Sequence, residues 1–167
     1  MTVGPLHPRA EELVRDLRLR PHPEGGRFAE AFRSPRQVRA AGEPRDRSAL
    51  TTIYFLLAAG EVSRWHRLDA DEAWHFYEGA PLELFLLDEG AQILTRETVG
   101  PAAAGTAPVR VVPAGSWMAA RPLGEFALVG CTVAPGFEPG GFLLMMKDAP
   151  AVAVDVARRF PEVAGLI

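Results

Sequence analysis

The sequence predicts an all-β barrel or jelly roll with one helix at each end. Short β-branched and aromatic runs recur along the middle of the chain, with glycine and proline turns between them. Helical patterns occur only near the two termini. With 167 residues, the chain is long enough for one domain with a substantial core and too short for two ordinary ones. The expected layout is a single domain, with a helix at about residues 8–17, a barrel at about 27–146 and a helix at about 149–160.

The elements follow in order. Pro8 suits a first helical turn, Glu11 and Glu12 favour its positive end, and Leu13, Val14 and Leu17 share one face. This helix is expected to lie on the outside of the barrel. Pro21-His22-Pro23-Glu24-Gly25-Gly26 then fixes a bent connection, because two prolines and two glycines suit neither a helix nor a central strand. A strand follows, from Ala29 to Arg33. From Ser34 to Ser48 the chain carries Pro35, Gly42 and Pro44, with Arg36, Arg39, Arg45 and Arg47 against Glu43 and Asp46. This segment reads as a solvated loop or loose hairpin, or alternatively as an anion-collecting arm over a pocket. Leu50 to Leu57 is a buried strand bounded by Gly60. Pro81 to Leu87 and Ala91 to Val99 form a hairpin about Asp88-Glu89-Gly90. A Gly/Ala/Pro loop, Gly100 to Pro108, leads to strands at Val109 to Val112, Ser116 to Ala120 and Phe126 to Val133. The last helix has Asp148 as expected N-cap, Pro150 in its first turn and Pro161 beyond its end.

Composition narrows the partners. The chain is 48% hydrophobic and 23% charged with a net charge of −3, which gives no whole-molecule basis for binding nucleic acid or an acidic membrane. No apolar run is long enough to span a bilayer, and the amino terminus lacks a signal-peptide core. The one cysteine, Cys131, excludes an intrachain disulfide, fits a reducing compartment and reads as a small buried hydrophobe. A cytoplasmic protein is the expectation.

One stretch, Gly60 to Gly79, holds two histidines, a carboxylate, two tryptophans and turn residues at ordered spacing. Its skeleton is Gly60, five residues, His66, five residues, Glu72, six residues, Gly79. That pattern resembles the first signature motif of the cupin superfamily, whose members are jelly-roll barrels (double-stranded β-helices). PHPEGGRF with the strand after it, Gly130 to Phe137, and the tail from Phe142 resemble a narrower branch, DUF985 or cupin 5, an uncharacterised family. The resemblance covers nearly the whole chain and implies a homodimer. In the superfamily, three ligands of the first motif and one of the second hold a metal ion. Here His66 and Glu72 stand at two of these positions, Leu68 replaces the second histidine, and Met118 stands at the histidine position of the second motif. Ala107 and Pro122 also depart from that motif. Two of four ligands survive, so a divalent ion at His66 and Glu72 would need water to complete its shell.

Without metal, a carboxylate beside an imidazole is an acid–base pair. Some sugar-nucleotide epimerases of the superfamily resemble this, with a tyrosine returning the proton. Tyr54 and Tyr77 are the only tyrosines, and Tyr54 is the candidate. Strand parity groups Arg64, His66 and Leu68 on one face, Ser63 and Trp65 on the other, and Glu72 with Trp74 and Phe76. His75 and Tyr77 then point away. Leu68, Trp74, Phe76 and Met118 would form an apolar wall, of a ligand pocket or of a plain core, around the polar pair. Arg27 and Arg64 are candidate ligand-binding residues, Arg27 as a holder of phosphate or carboxylate. Three functions stay open. They are an isomerase or epimerase acting on an unknown carbonyl-containing, sugar-like ligand, a metal-dependent oxygenase or isomerase, and a non-catalytic small-molecule-binding module.

Overall fold

The structure, a computed structural model, describes residues 5–40, 42 and 45–167. Glu43 and Pro44 of the expected arginine-rich loop lie outside the described residues. Helix α1 (Pro8–Asp16) is followed by β1 (Arg20–Pro21), β2 (Arg27–Arg33), β3 (Gln37–Val38), β4 (Arg47–Ser48), β5 (Thr51–Ala58), β6 (Ser63–Leu68) and β7 (Asp71–Gly79). Then come β8 (Leu82–Leu87), β9 (Leu94–Val99), β10 (Val109–Val112), β11 (Trp117–Pro122), β12 (Phe126–Ala134) and β13 (Phe142–Leu144). Helices α2 (Met145–Asp148) and α3 (Pro150–Arg159) and a closing 3₁₀ turn (Pro161–Leu166) end the chain.

The fold is mostly β, as expected. One sheet runs β1-β2-β5-β12-β7-β10 and the other β13-β6-β11-β8-β9, all antiparallel. Their inner faces share a core that includes Phe55, Trp74, Leu82, Leu84, Val99, Val112, Met118 and Val129. Alternation along each strand sends the other residues outward, where the helices cover them. Leu13 and Ala10 of α1 pack on Leu56 and Leu128 of the first sheet, whereas Ala153 and Val156 of α3 pack with Trp65, Phe85 and Trp117 of the second. Both helices thus lie outside the barrel. The expected N-cap is corrected: Asp148 belongs to α2 and accepts the Leu144 N–H at 2.8 Å, and Ala149 occupies the N-cap position of α3.

Two sandwiched sheets leave two seams. At one, β9 and β10 meet, with Arg110 and Glu97 paired across them at 3.1 Å. At the other, β1 and β2 face β13 and β6, and the turn between β1 and β2 crosses the gap. The arginine-rich segment is a loose hairpin whose short strands β3 and β4 pair. Arg47, 8% exposed, donates to the Gly136 carbonyl and to Asp69, each at 3.0 Å, which ties the hairpin to the end of β6. Arg39 pairs with Asp46 at 2.7 Å. Among the described residues, no helix is long and apolar enough to cross a membrane.

Candidate functional site

The crossing turn is built by glycine. Gly25 and Gly26 have φ of +117° and +66°, where side-chain-bearing residues are strained. A Cβ on Gly25 would strike the Val62 carbonyl oxygen, and one on Gly26 would lie 2.7 Å from that of Leu56. Bare backbone therefore lets the turn lie between β5 and β6. Arg64 fastens it there: its backbone N–H and its guanidinium both donate to the Glu24 carbonyl, at 2.9 and 3.2 Å.

Fastened in this way, the turn delivers Glu24 to His66. The His66 Nδ1 lies 2.7 Å from the Arg64 carbonyl, which can only accept, so Nδ1 carries the proton of the neutral ring. The Nε2 is then a bare lone pair, 3.2 Å from Glu24 Oε2. Burial pushes the Glu24 carboxyl up and the His66 imidazole down. Both shifts favour one arrangement, a protonated Glu24 donating to a neutral His66. The hydroxyl of Ser63 donates to Glu24 Oε1 at 2.8 Å. His22 Nδ1 accepts the Glu24 backbone N–H at 3.3 Å; burial holds this ring neutral as well, with its proton on Nε2.

Glu72 is the second buried carboxyl. Burial pushes it up to about 7, with His66 pulling down and Glu24 pushing up as smaller influences. Its Oε2 accepts the Trp74 indole N–H at 3.1 Å, and its Oε1 has no partner among the described residues. At that value the carboxyl is divided between acid and base near neutral pH, as general catalysis needs.

These groups line the inner part of a cavity of about 320 Å³ at the seam. His22, Glu24, His66 and Glu72 sit among Phe28, Leu68, Cys131, Phe137 and Phe142, while Arg20, Glu30 and Arg33 stand at the exposed rim. An apolar lining with a few placed polar groups is the usual character of a small-molecule site.

The structure brings together His66, Glu72 and Leu68 of the expected residues, and it moves the rest. Tyr54 points to the opposite face of β5, where it packs near α1 and beside Tyr77; as a proton donor to the cavity it is corrected. Arg27 is bound to Glu61 at 2.7 and 2.9 Å and does not line the cavity, because the turn aims it along the outside of the seam. Arg64 shares the parity of His66 but is used up on the turn. Trp74, Phe76 and Met118 face inward yet belong to the packed core beyond the cavity, and Trp74 touches the site only through Glu72. Ser63, expected to face with Trp65, instead meets Glu24. None of Arg36, Arg39, Arg45 and Arg47 lines the cavity, which corrects the anion-collecting arm. Sequence reasoning missed His22, Glu24, Arg20 and Arg33. The signal for the first two was present, as two titratable side chains inside a glycine-forced bend, PHPEGG.

The comparisons agree with this architecture. The sequence matches the family described as Cupin superfamily (DUF985) over residues 11–145. The chain is a DUF985 cupin. It is similar to a hypothetical protein from Leishmania major, with 29% identity, 95% of this chain and 96% of that one covered, and a TM-score of 0.81. A protein from Shewanella oneidensis is 33% identical over 94% of this chain and 93% of its own, with a TM-score of 0.77. Oxalate decarboxylase from Bacillus subtilis shares the fold at 17% identity and a TM-score of 0.55, over 88% of this chain and 36% of its own. Among curated proteins, none matches this sequence.

The metal of other cupins does not fit the residues of this one. Leu68 and Met118 offer no hard donor and are packed into the core. Both nitrogens of His66 are engaged, by the Arg64 carbonyl and by Glu24. Among the described residues, no group of three or more His, Cys, Asp or Glu side chains converges as a metal site.

Proposed function

We propose that this cupin binds a small carbonyl-containing, sugar-like molecule in the seam cavity and isomerises it by acid–base chemistry, with Glu72 moving the proton. The observation that carries the reading is the free Oε1 of a buried Glu72 poised near pH 7. Glu72 takes a proton from the carbon next to the carbonyl, and the C–H electron pair moves through the new C–C double bond onto the carbonyl oxygen. The Nε2–H of His22 is the donor available to that oxygen. Return of that proton from Glu72 to the former carbonyl carbon, while the hydroxyl proton on the first carbon passes to the old carbonyl oxygen, moves the carbonyl by one carbon and completes the isomerisation. His66 serves as a positioning residue, because its two nitrogens are already bonded. One carboxyl returning its own proton suits isomerisation better than epimerisation, since Tyr54 lies outside the cavity.

Deuterium uptake from D₂O by a panel of ketoses and aldoses, followed by NMR, tests the reading. Label is expected next to the carbonyl, falling by about 10²-fold or more in Glu72→Gln; undiminished uptake in that variant removes Glu72 as the base. A non-catalytic binding module is the second reading, favoured by the Glu24–His66 pair, which satisfies itself without a ligand. Thermal stabilisation by a panel member with no label uptake would select it.

A further inference from the structure

The two ends of the cavity differ in chemistry, and the outer end specifies the ligand. At the inner end, burial pushes Glu24 up and His22 and His66 down, each toward its uncharged form, and places Glu72 on the edge of ionisation. An anion there would meet desolvation and a carboxyl that already resists charge. At the rim, Arg20 lies with its guanidinium 5.0 Å from the centre of the Phe28 ring, which fixes it over the cavity wall. It has no carboxylate partner among the described residues. Arg33 is different: its guanidinium is bonded to Glu30 at 2.9 and 3.3 Å and to the Phe137 carbonyl at 3.2 Å, with Glu138 at 3.6 Å. Arg33 is therefore engaged by two carboxylates, whereas Arg20 is engaged by none among the described residues. Between rim and floor stand the rings of Phe28, Phe137 and Phe142.

We infer that the ligand is a carbonyl compound carrying an oxyanion, carboxylate or phosphate, with the oxyanion held at the rim by Arg20 and the carbonyl end directed to Glu72 and His22. This rests on the proposed function for its inner end and on Arg20 for its outer one. The planar guanidinium can offer two parallel N–H donors to either oxyanion. Arg27, the sequence-based candidate for this task, is spent on Glu61.

Calorimetric binding of two matched pairs tests the assignment without requiring turnover: levulinate against methyl levulinate, and dihydroxyacetone phosphate against dihydroxyacetone. In the wild-type protein, the charged member of at least one pair is expected to bind ~10- to 100-fold more tightly, the range of a hydrogen bond to a charged group. Which pair shows the gap distinguishes carboxylate from phosphate. Arg20→Met should erase the gap, and Arg27→Met should leave it. Equal binding within both pairs, no binding by any member, or a gap that survives Arg20→Met overturns the inference. Deuterium uptake by the same ketones reports separately on Glu72. Exchange without charge preference rejects the rim assignment alone, and charge preference without exchange rejects the isomerase reading alone.

Discussion

The two seams of the barrel solve the same closure problem with opposite chemistry. Where β9 meets β10, the gap is filled by Leu82, Val99 and Val112, all fully buried, with the half-buried Arg110–Glu97 ion pair beside them. Where β1 and β2 face β13 and β6, a glycine turn spans the gap and turns titratable groups inward. Apolar closure stabilises through area removed from water and through dispersion. Closure by buried carboxyls and imidazoles must satisfy each polar atom or keep it neutral. Stability is thus concentrated at one seam and titratable groups at the other.

Substitutions can break or sharpen this contrast. The largest effect is expected at the apolar seam, where Leu82→Ala should cost about 2–5 kcal/mol, read by urea unfolding, with ligand affinity unchanged in the folded fraction. A comparable loss from Glu24→Leu at the other seam would contradict the division of labour. That variant replaces a carboxyl that burial pushes toward its uncharged form, and its main effect should fall on Glu72 and on exchange.

The pH dependence separates the seams next. Glu72 titrates near 4.5 unfolded and near 7 folded. The folded state therefore holds a proton that the unfolded state has lost, and this group's contribution to stability falls as pH rises from about 4.5 through about 7. Glu72→Gln removes that fall. Its melting temperature relative to wild type should climb between pH 5 and pH 8, whereas that of Leu82→Ala should stay parallel to wild type. Below the ordinary imidazole pKa of 6.5, the lowered values of His22 and His66 work the other way, and stability is lost as pH falls. The smallest effects belong to residues on the far side of the strands. Tyr54→Phe should leave exchange unaltered, and Arg27→Met should cost about 1 kcal/mol or less through Glu61, again with exchange unaltered.

The barrel was legible because its signals are local. Alternation along β7 placed Glu72 and Trp74 inward and His75 outward, and turn residues bounded β5, β8 and β12 within a few positions. Part of the site was legible for the same reason: His66 and Glu72 lie in one contiguous stretch. Glu24 could not be paired with His66 from spacing, because they lie 42 positions apart in sequence and only the three-dimensional crossing of the seam joins them. Arg27 and Arg64 were misread because parity gives the face of a strand and not the partner that a long side chain finds at its end. Tyr54 failed for a simpler reason: its neighbours Ile53 and Phe55 take the inward face.

The Gly25–Gly26 turn has a consequence for how such a protein can change. Its acid reaches the floor on a five-residue connector, His22 to Gly26, and not on any strand whose register holds the barrel together. Exchange of that connector, with its two glycines kept, would re-equip the floor with a different acid, base or amide while leaving every ladder of backbone hydrogen bonds in place. The barrel is a permanent housing, and the connector behaves as its interchangeable tool.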